Sequence, residues 1–207
     1  MKFYYFPVAP NPTRVRTYIR EKGIELEEIE VSLREGEQNS PEHLARNPRG
    51  ALPVLELDSG EFICESLPMM EFLEELYPQP VMIGADPVAR LKTREFERQV
   101  ETTVLNRIGR IVHATNSPLG LPPNPAVAEP EQERLPAALA LVDERIADQP
   151  FAMGSSPSIV DCTLFAGLFF GEFFGVTVPT ENANLRRWYD RLGERPAYQE
   201  HIMNPLT

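Results

Sequence analysis

The segment 50–66, GALPVLELDSGEFICES, constrains the fold more than any other part of this chain. Apolar residues alternate on both sides of the Asp-Ser-Gly tripeptide at 58–60, which is typical of a tight turn, so the segment predicts a hairpin over 52–64. An apolar pattern at helical spacing then runs from Ser66 to Tyr77. The first N–H groups of that helix have no partner within it and are offered to whatever lies in front of them.

Glu65 and Ser66 stand at the start of this helix. The free N–H groups and the positive end of the helix dipole attract a carboxylate, and the acidic side chain of Glu65 attracts an ammonium group. The pair therefore predicts a pocket for the head group of an α-amino acid, such as a γ-glutamyl group.

The elements that precede the hairpin follow a recognisable order. A strand is predicted over 2–6, and a helix begins at Asn11 as its N-cap, with Pro12 at its first position, and ends at Gly23. A second strand is predicted around 26–31 and a short helix over 41–46. The resulting order over residues 1–78, βαβ-α-ββα, resembles a thioredoxin-like domain.

The second half of the chain carries helical patterns only. Prolines at 78 and 80 break the preceding helix, so residues 79–85 are predicted to be a linker and residues 86–207 an all-helical domain. Ser158 and Asp161 have the spacing of a capping box, with Asp in place of the usual Glu. The predicted helices run from Asp86-Pro87 to about Ala114, from Glu129 to Ala147 with a kink or break at Pro136, from Ser158 to Phe174, from Ala183 to Arg191 and from Pro196 to Ile202, with a loop at 116–126.

Taken together, the sequence resembles a cytosolic glutathione transferase of bacterial type over essentially all of its residues. The resemblance is carried by NPRGALPVL at 47–55, Glu65-Ser66, SIVDC at 158–162 and LRRWY at 185–189. It implies a thioredoxin-like glutathione-binding domain at 1–78, the linker 79–85, and a helical domain at 86–207 that contributes the electrophile site. It also implies glutathione as co-substrate, no metal, and a homodimer.

Composition excludes several other classes of function. The formal net charge of −11 argues against a nucleic-acid partner, because phosphate binding relies on clustered Lys and Arg. No apolar run approaches the roughly 20 residues needed to cross a bilayer, and the N-terminus lacks a signal-peptide pattern, so a cytoplasmic location is expected. Cys64 and Cys162 lie far apart in apolar contexts and are expected to be buried and unpaired.

The resemblance assigns glutathione contacts to particular residues. The γ-glutamyl group would lie at Glu65 and Ser66, and the cysteinyl backbone would pair with Leu52, the residue before Pro53 in a cis X-Pro bond. An ordinary edge-strand proline is the alternative interpretation of Pro53.

The glycyl carboxylate of glutathione needs a cation or a hydrogen-bond donor. Many relatives have Lys or Arg where this chain has Ala51. Gln38, Arg49 and His43 are the candidates for that role here, and Gln38 is favoured because the spacing of Gly-Glu-Gln at 36–38 is like that of the bacterial nu class.

A donor that stabilises the thiolate is expected in the loop after the first strand. A free thiol is only roughly 3% ionised at pH 7, so catalysis requires such a donor. The loop at 6–14, FPVAPNPTR, contains no Ser or Cys, and resembles the nu-class loop except that Ala9 replaces a hydroxyl residue. Asn11 is the favoured donor, through its side-chain NH2, while Thr13 and Tyr5 remain as second and third candidates.

The electrophile is expected between the first loop and the helix at 88–114. Val8, Asn106, Arg110 and His113 are the predicted lining residues. The aromatic run at 168–174, LFFGEFF, is predicted to be helix core rather than a wall of the substrate site.

Two classes of function fit these features. The first is an enzyme that uses the glutathione thiolate on an apolar electrophile or in disulfide reduction. The second is a non-catalytic binding or assembly module of the same architecture, which the missing loop serine and the missing cation at Ala51 would suit. The retained Glu65-Ser66 and Leu52-Pro53 favour the enzyme, because a module has no need of a γ-glutamyl pocket.

Overall fold

A computed structural model of the chain describes residues 1–177 and 181–203. Its four-stranded sheet is formed by β1 (Lys2–Tyr5), β2 (Glu27–Glu30), β3 (Val54–Glu56) and β4 (Phe62–Ile63), in the order β2-β1-β3-β4. Strand β1 runs parallel to β2 and antiparallel to β3, which pairs with β4 as the predicted hairpin. The first two strands are each slightly shorter than predicted, and the mixed sheet is the one expected of a thioredoxin-like fold.

Alternation along β1 builds a core on each face of the sheet. Phe3 lies opposite Leu55, and both are fully buried in a cluster with the first and third helices. Tyr4 lies opposite Val54 on the other face, in a smaller buried cluster. Because β1 is central and covered on both faces, its position and register are strongly specified.

The first part of the chain contains three helices and a short 3₁₀ turn, which surround the sheet. These are α1 (Pro10–Lys22), the 3₁₀ turn (Glu37–Asn39), α2 (Pro41–Arg46) and α3 (Ser66–Leu76). The predicted N-cap of α1 was wrong: Ala9 is the N-cap, Pro10 is the first helical residue, and Asn11 is the second. The Thr13 N–H donates to the carbonyl of Ala9 at 3.0 Å, which closes the first turn ahead of Asn11.

The rest of the described chain is helical, as predicted. Its elements are α4 (Pro87–Val100), a π-helical turn (Glu101–Leu105), α5 (Asn106–Thr115), α6 (Pro125–Ile146), α7 (Ile159–Phe173), α8 (Ala183–Gly193) and α9 (Pro196–Met203). The predicted helix at 88–114 therefore contains a π turn. The helix expected from Glu129 begins at Pro125, and Pro136 does not divide it.

The predicted capping box starts α7 and forms a buried polar centre. Asp161 accepts hydrogen bonds from the Ser158 N–H at 2.8 Å and the Ser158 hydroxyl at 2.7 Å. It also accepts from the indole N–H of Trp188 at 2.8 Å and from the Ala152 N–H at 2.7 Å. One carboxylate thus holds the start of α7, in the SIVDC segment, against α8, in the LRRWY segment.

The two halves of the chain share core residues. Val8, from the loop after β1, is packed in the core cluster of the helical half. Ile159 and Cys162, from α7, are packed in the cluster beneath the sheet. The predicted linker 79–85 lies between the end of α3 and the start of α4. The division at that linker remains a prediction, and each half contributes to the core of the other.

Two further expectations concern cysteines and membranes. Cys162 is buried, Cys64 is half-buried, and both thiols are free. Within residues 1–177 and 181–203, every helix is too short or too polar to cross a bilayer.

Candidate functional site

The N-terminal ends of α1 and α3 are joined by Arg14. Its guanidinium donates from Nε to the Ser66 hydroxyl oxygen at 2.8 Å, and its Nη2 contacts the same oxygen. Arg14 is 2% exposed and Ser66 is 3% exposed. Because both lone pairs of the Ser66 oxygen face Arg14, the hydroxyl proton is directed away from it and can be donated to a ligand.

Two glutamates of the helical half complete this buried centre. Arg14 Nη1 lies 3.1 Å from Glu97 Oε1, and Arg14 Nη2 lies 3.1 Å from Glu101 Oε1. Thr163 also donates to Glu97 Oε1, at 3.0 Å. Burial raises the pKa of Glu97, against the lowering effect of Arg14. Glu101 is also the first residue of the π turn, a helical irregularity that is frequent at functional sites.

Asn11 lies next to this centre. The Ser66 hydroxyl oxygen is 3.5 Å from Asn11 Oδ1, a long contact that a ligand carboxylate at closer range would displace. Because Asn11 is the second residue of α1 rather than its cap, its side chain is not used in a capping hydrogen bond. Of the rival thiol donors, Thr13 is buried, and Tyr5 is buried under the guanidinium of Arg16, whose carbon lies 4.2 Å from the ring centre.

Glu65 is the N-cap residue of α3 and is held by an exposed partner. Its carboxylate lies 2.6 Å from Arg49 Nη1, and the two side chains are 61% and 72% exposed. Such an exposed pair contributes little free energy, so a ligand ammonium can compete for Glu65. Arg49, one of the candidates for the glycyl carboxylate, is therefore at the γ-glutamyl end of the predicted site.

The Leu52–Pro53 peptide bond is cis, as the resemblance implies. The carbonyl of Ala51 accepts from Asn47 Nδ2 at 2.9 Å and lies 3.2 Å from His43 Nε2. His43 is 1% exposed, so its side chain is packed against the loop and does not face solvent.

Gln38 lies in the 3₁₀ turn and is half-buried. Its Oε1 atom is buried and forms no hydrogen bond with the part of the chain that the structure describes. A Cβ atom at Gly50 would lie 3.1 Å from the Gln38 carbonyl oxygen, so this turn and the loop before Pro53 are in close contact.

The loop after β1 has an unusual backbone at Val8. Its φ is +68°, in the left-handed region, which is a genuine outlier for a β-branched residue. The side chain is 4% exposed and anchored in the helical core. Packing against the helical half thus holds the loop that precedes Asn11 in one conformation.

An apolar cleft of about 270 Å³ opens beside this loop. Two of the predicted electrophile-site residues, Val8 and His113, line it. The other lining residues come from the first loop, a turn after β2, the loop after α5 and the end of α7; they are Phe6, Pro7, Ala9, Pro10, Leu33, Arg34, Pro118, Leu119, Phe170, Phe173 and Phe174.

The aromatic run of α7 is divided between core and cleft. Phe169 is 6% exposed and Phe170 3%, whereas Phe173 is 40% exposed. The core interpretation of this run is therefore correct for its first aromatic residues and wrong for Phe173, which forms an open wall of the cleft. Phe174 packs edge-on against Phe170 and Phe173, with ring centres 5.0 Å apart in both pairs.

His113 faces the cleft as a neutral side chain. Its Nδ1 lies 3.1 Å from the Ser117 hydroxyl, its ring lies 6.1 Å from that of Phe170, and burial lowers its pKa. Arg110 instead pairs with Glu131 on α6 at 2.7 Å. Neither Arg110 nor Asn106 is among the residues that line the cleft.

Arg14 and the carboxylates that hold it are the part of the site that the sequence did not reveal. Within residues 1–177 and 181–203, there is no group of three or more His, Cys, Asp or Glu that could hold a metal ion.

Known proteins of one family resemble this chain over most of its length. Family models described as "Glutathione S-transferase, N-terminal domain" and "Glutathione S-transferase, C-terminal domain" match residues 3–81 and 125–191. Glutathione S-transferase 2 of Saccharomyces cerevisiae is 30% identical over 97% of this chain and 88% of its own length. Maleylacetoacetate isomerase of Pseudomonas aeruginosa is 30% identical over 97% of this chain and 94% of its own. The crystal structure of yeast Gtt2 superposes with a TM-score of 0.89 at 30% identity, covering 97% of this chain and 99% of that one.

Proposed function

The chain belongs to the glutathione S-transferase family, and from that premise we propose that it binds reduced glutathione and transfers the glutathionyl group to an apolar electrophile. The observation that carries this proposal is the convergence of two helix N-termini, joined by Arg14 and Ser66, beside an apolar cleft. The polar site for glutathione then lies next to the apolar site for the electrophile.

The γ-glutamyl group binds at the start of α3. The Ser66 hydroxyl donates to its carboxylate, because Arg14 occupies the lone pairs of that hydroxyl. The N–H groups of the first turn and the helix dipole add further attraction. The carboxylate of Glu65 exchanges Arg49 for the ligand ammonium.

Asn11 is the residue proposed to stabilise the thiolate. Each pKa unit by which the thiol pKa falls corresponds to about 1.4 kcal/mol of preferential interaction with the thiolate. One good donor together with the positive end of α1 can supply about one to two units. Asn11 is the second residue of α1 and lies near Ser66, which supports this role.

The remaining parts of glutathione extend toward the loop at 50–53. Leu52, before the cis bond to Pro53, pairs with the cysteinyl backbone, and Gln38 donates its amide N–H to the glycyl carboxylate. Because the Oε1 atom of Gln38 is buried, the NH2 group would be the part available to a ligand.

Transfer forms a bond between sulfur and an electrophilic carbon. The thiol proton passes to solvent when glutathione binds, the thiolate attacks, and a leaving group departs with its bonding electron pair. Glutathione-dependent disulfide reduction is the alternative reaction of the same thiolate. The aromatic cleft beside Val8 supports an organic electrophile in preference to a disulfide.

Homodimerisation, a cytoplasmic location and the division at the linker 79–85 are also proposed. Apolar side chains one helical turn apart on α4, Val88 and Leu91, are 60% and 67% exposed, which supports an interface on that face. A non-catalytic module is not favoured, because the relatives are named as enzymes and the pairs Glu65-Ser66 and Leu52-Pro53, which are expected to bind glutathione, are kept.

Calorimetric titration with reduced glutathione in two buffers of different ionisation enthalpy tests the proposal. Binding with proton release, followed by turnover of an apolar electrophile, is the expected result. Absence of binding at millimolar glutathione would overturn the site and favour the module.

A further inference from the structure

Among the described residues that line the cleft beside the first loop, Arg34 carries the single formal charge. The described lining includes no Asp or Glu. Arg34 is exposed, and it forms no ion pair with any described residue. Elsewhere arginines are commonly paired; Arg107 and Arg110, for example, share Glu131. In a chain of net charge −11, this cation has been left available at a substrate cleft.

The loop that holds Arg34 is ordered by its own hydrogen bonds. The Glu37 N–H donates to the Ser32 carbonyl at 3.0 Å, and the Ser32 N–H donates to Glu37 Oε2 at 2.6 Å. The carboxylate of Glu37 is thereby occupied by the loop backbone. The neighbouring Glu35 donates its N–H to the Ser32 hydroxyl at 3.2 Å. Arg34 is therefore presented from a defined turn rather than from a long free loop.

Part of the cleft wall is aromatic. Phe173 exposes 40% of its surface, and Phe174 lies edge-on against it with ring planes 73° apart. Such a wall favours a flat ring in offset or edge-to-face contact. His113 adds no charge, because burial lowers its pKa and keeps the imidazole neutral near pH 7.

We propose that Arg34 makes this cleft selective for flat aromatic electrophiles that carry an anionic group such as a carboxylate. The inference rests on the proposed transferase function and adds the class of its second substrate. A guanidinium binds a carboxylate through two parallel hydrogen bonds, and its field raises the local concentration of anions near the low-dielectric wall. In the reaction, the glutathione thiolate bonds to the activated ring carbon, and halide leaves with its electron pair.

The experiment compares a chlorodinitrobenzoate with its methyl ester as substrates of the purified full-length protein. Both substrates have the same leaving group. Turnover of the neutral ester measures how well the cleft accepts the ring when the substrate has no carboxylate charge. For the wild type we expect the ratio of kcat/KM, carboxylate over ester, to be higher at low ionic strength than at high. In Arg34→Gln we expect that ratio to fall about tenfold and to lose its salt dependence. Arg34→Lys should retain the salt dependence.

Arg134→Gln is the matched control, since Arg134 is exposed on α6 and outside the cleft. An unchanged ratio in Arg34→Gln, or an equal fall in Arg134→Gln, would overturn the selectivity while the proposed function stands. A protein that turns over neither compound would overturn the proposed function and this inference with it.

Discussion

Arg14 Nε donates to the Ser66 hydroxyl oxygen at 2.8 Å across the interface between α1 and α3, and both side chains are buried. The same guanidinium reaches Glu97 and Glu101 in the helical half. One side chain therefore couples the start of the γ-glutamyl pocket to the packing of the two halves. Changes to this centre should affect ligand affinity and folding stability together, and changes at Asn11 should affect only the thiol.

Ser66→Ala should weaken glutathione binding. A hydrogen bond to a charged group contributes about 1.5–3 kcal/mol, so we expect Kd to rise roughly tenfold to a hundredfold. Calorimetric titration of the folded variant gives the value. Ser59→Ala, in the exposed hairpin turn, is the control, and its affinity should equal that of the wild type. Equal affinities for all three proteins would remove Ser66 from the site.

Asn11→Ala should raise the pKa of the bound thiol while leaving glutathione affinity largely unchanged. Loss of one donor to the thiolate corresponds to about one pKa unit, and turnover near neutral pH should fall about tenfold. Ultraviolet absorbance of the bound thiolate as a function of pH measures the first quantity, and steady-state kinetics measure the second. Thr13→Val is the comparison variant. If it shifts the thiol pKa and Asn11→Ala does not, Thr13 is the donor instead.

Local sequence patterns predicted the fold well wherever the contacts that determine it join residues that are close together in the sequence. The turn at 58–60, the capping box at Ser158 and the helix start at Asp86-Pro87 are confirmed because their hydrogen bonds join residues within a few positions. The predicted start of α1 was wrong for a local reason. Two prolines compete there for the first helical position, and the helix begins at Pro10 although Asn11 has the better capping side chain.

The candidate site was predictable only in part. Glu65 and Ser66 are adjacent in sequence and mark a helix start, so a pattern predicts their use. Arg14 meets Ser66, Glu97 and Glu101 at sequence separations of 52, 83 and 87 residues, and no local pattern reports such contacts. Phe173 was assigned to the core because helical spacing identifies a shared face but not which end of that face opens into a cleft.

Arg14→Met should destabilise the protein in a pH-dependent way. Glu97 is fully buried, and removal of its partner from a buried pair costs about 3–5 kcal/mol. The pKa of Glu97 is already raised by burial and should rise further. The native variant then binds a proton that the unfolded chain has lost, so its stability falls as pH rises above the ordinary Glu pKa of about 4.3.

Urea unfolding of Arg14→Met at several pH values tests this. The free energy of unfolding, relative to the wild type, should be lowest at alkaline pH. The double variant Arg14→Met with Glu97→Gln should recover part of the loss and abolish the added pH dependence. If the loss in free energy of unfolding is independent of pH, Glu97 is not the buried charge that has lost its partner.

His201 should make the wild type acid-sensitive. It is 3% exposed, lies 3.2 Å from the Thr17 hydroxyl, and contacts the rings of Phe165 and Phe169 on α7. Burial lowers its pKa to about 3, with Arg16 and Arg20 acting in the same direction and Glu200 opposing them. The unfolded chain, with a His pKa of about 6.5, therefore binds a proton that the native state does not, and stability falls as pH drops below that value.

His201→Phe removes the titrating group and keeps an aromatic ring between Phe165 and Phe169. The Thr17 hydroxyl remains satisfied, because it already donates to the Thr13 carbonyl at 2.9 Å. We expect the free energy of unfolding of the wild type to lose about 1–2 kcal/mol more than that of the variant between pH 7 and 5. Urea unfolding of both proteins across this range gives the difference. Parallel curves would mean that His201 is protonated in the native state, and that α9 tolerates a charge where it packs on α1 and α7.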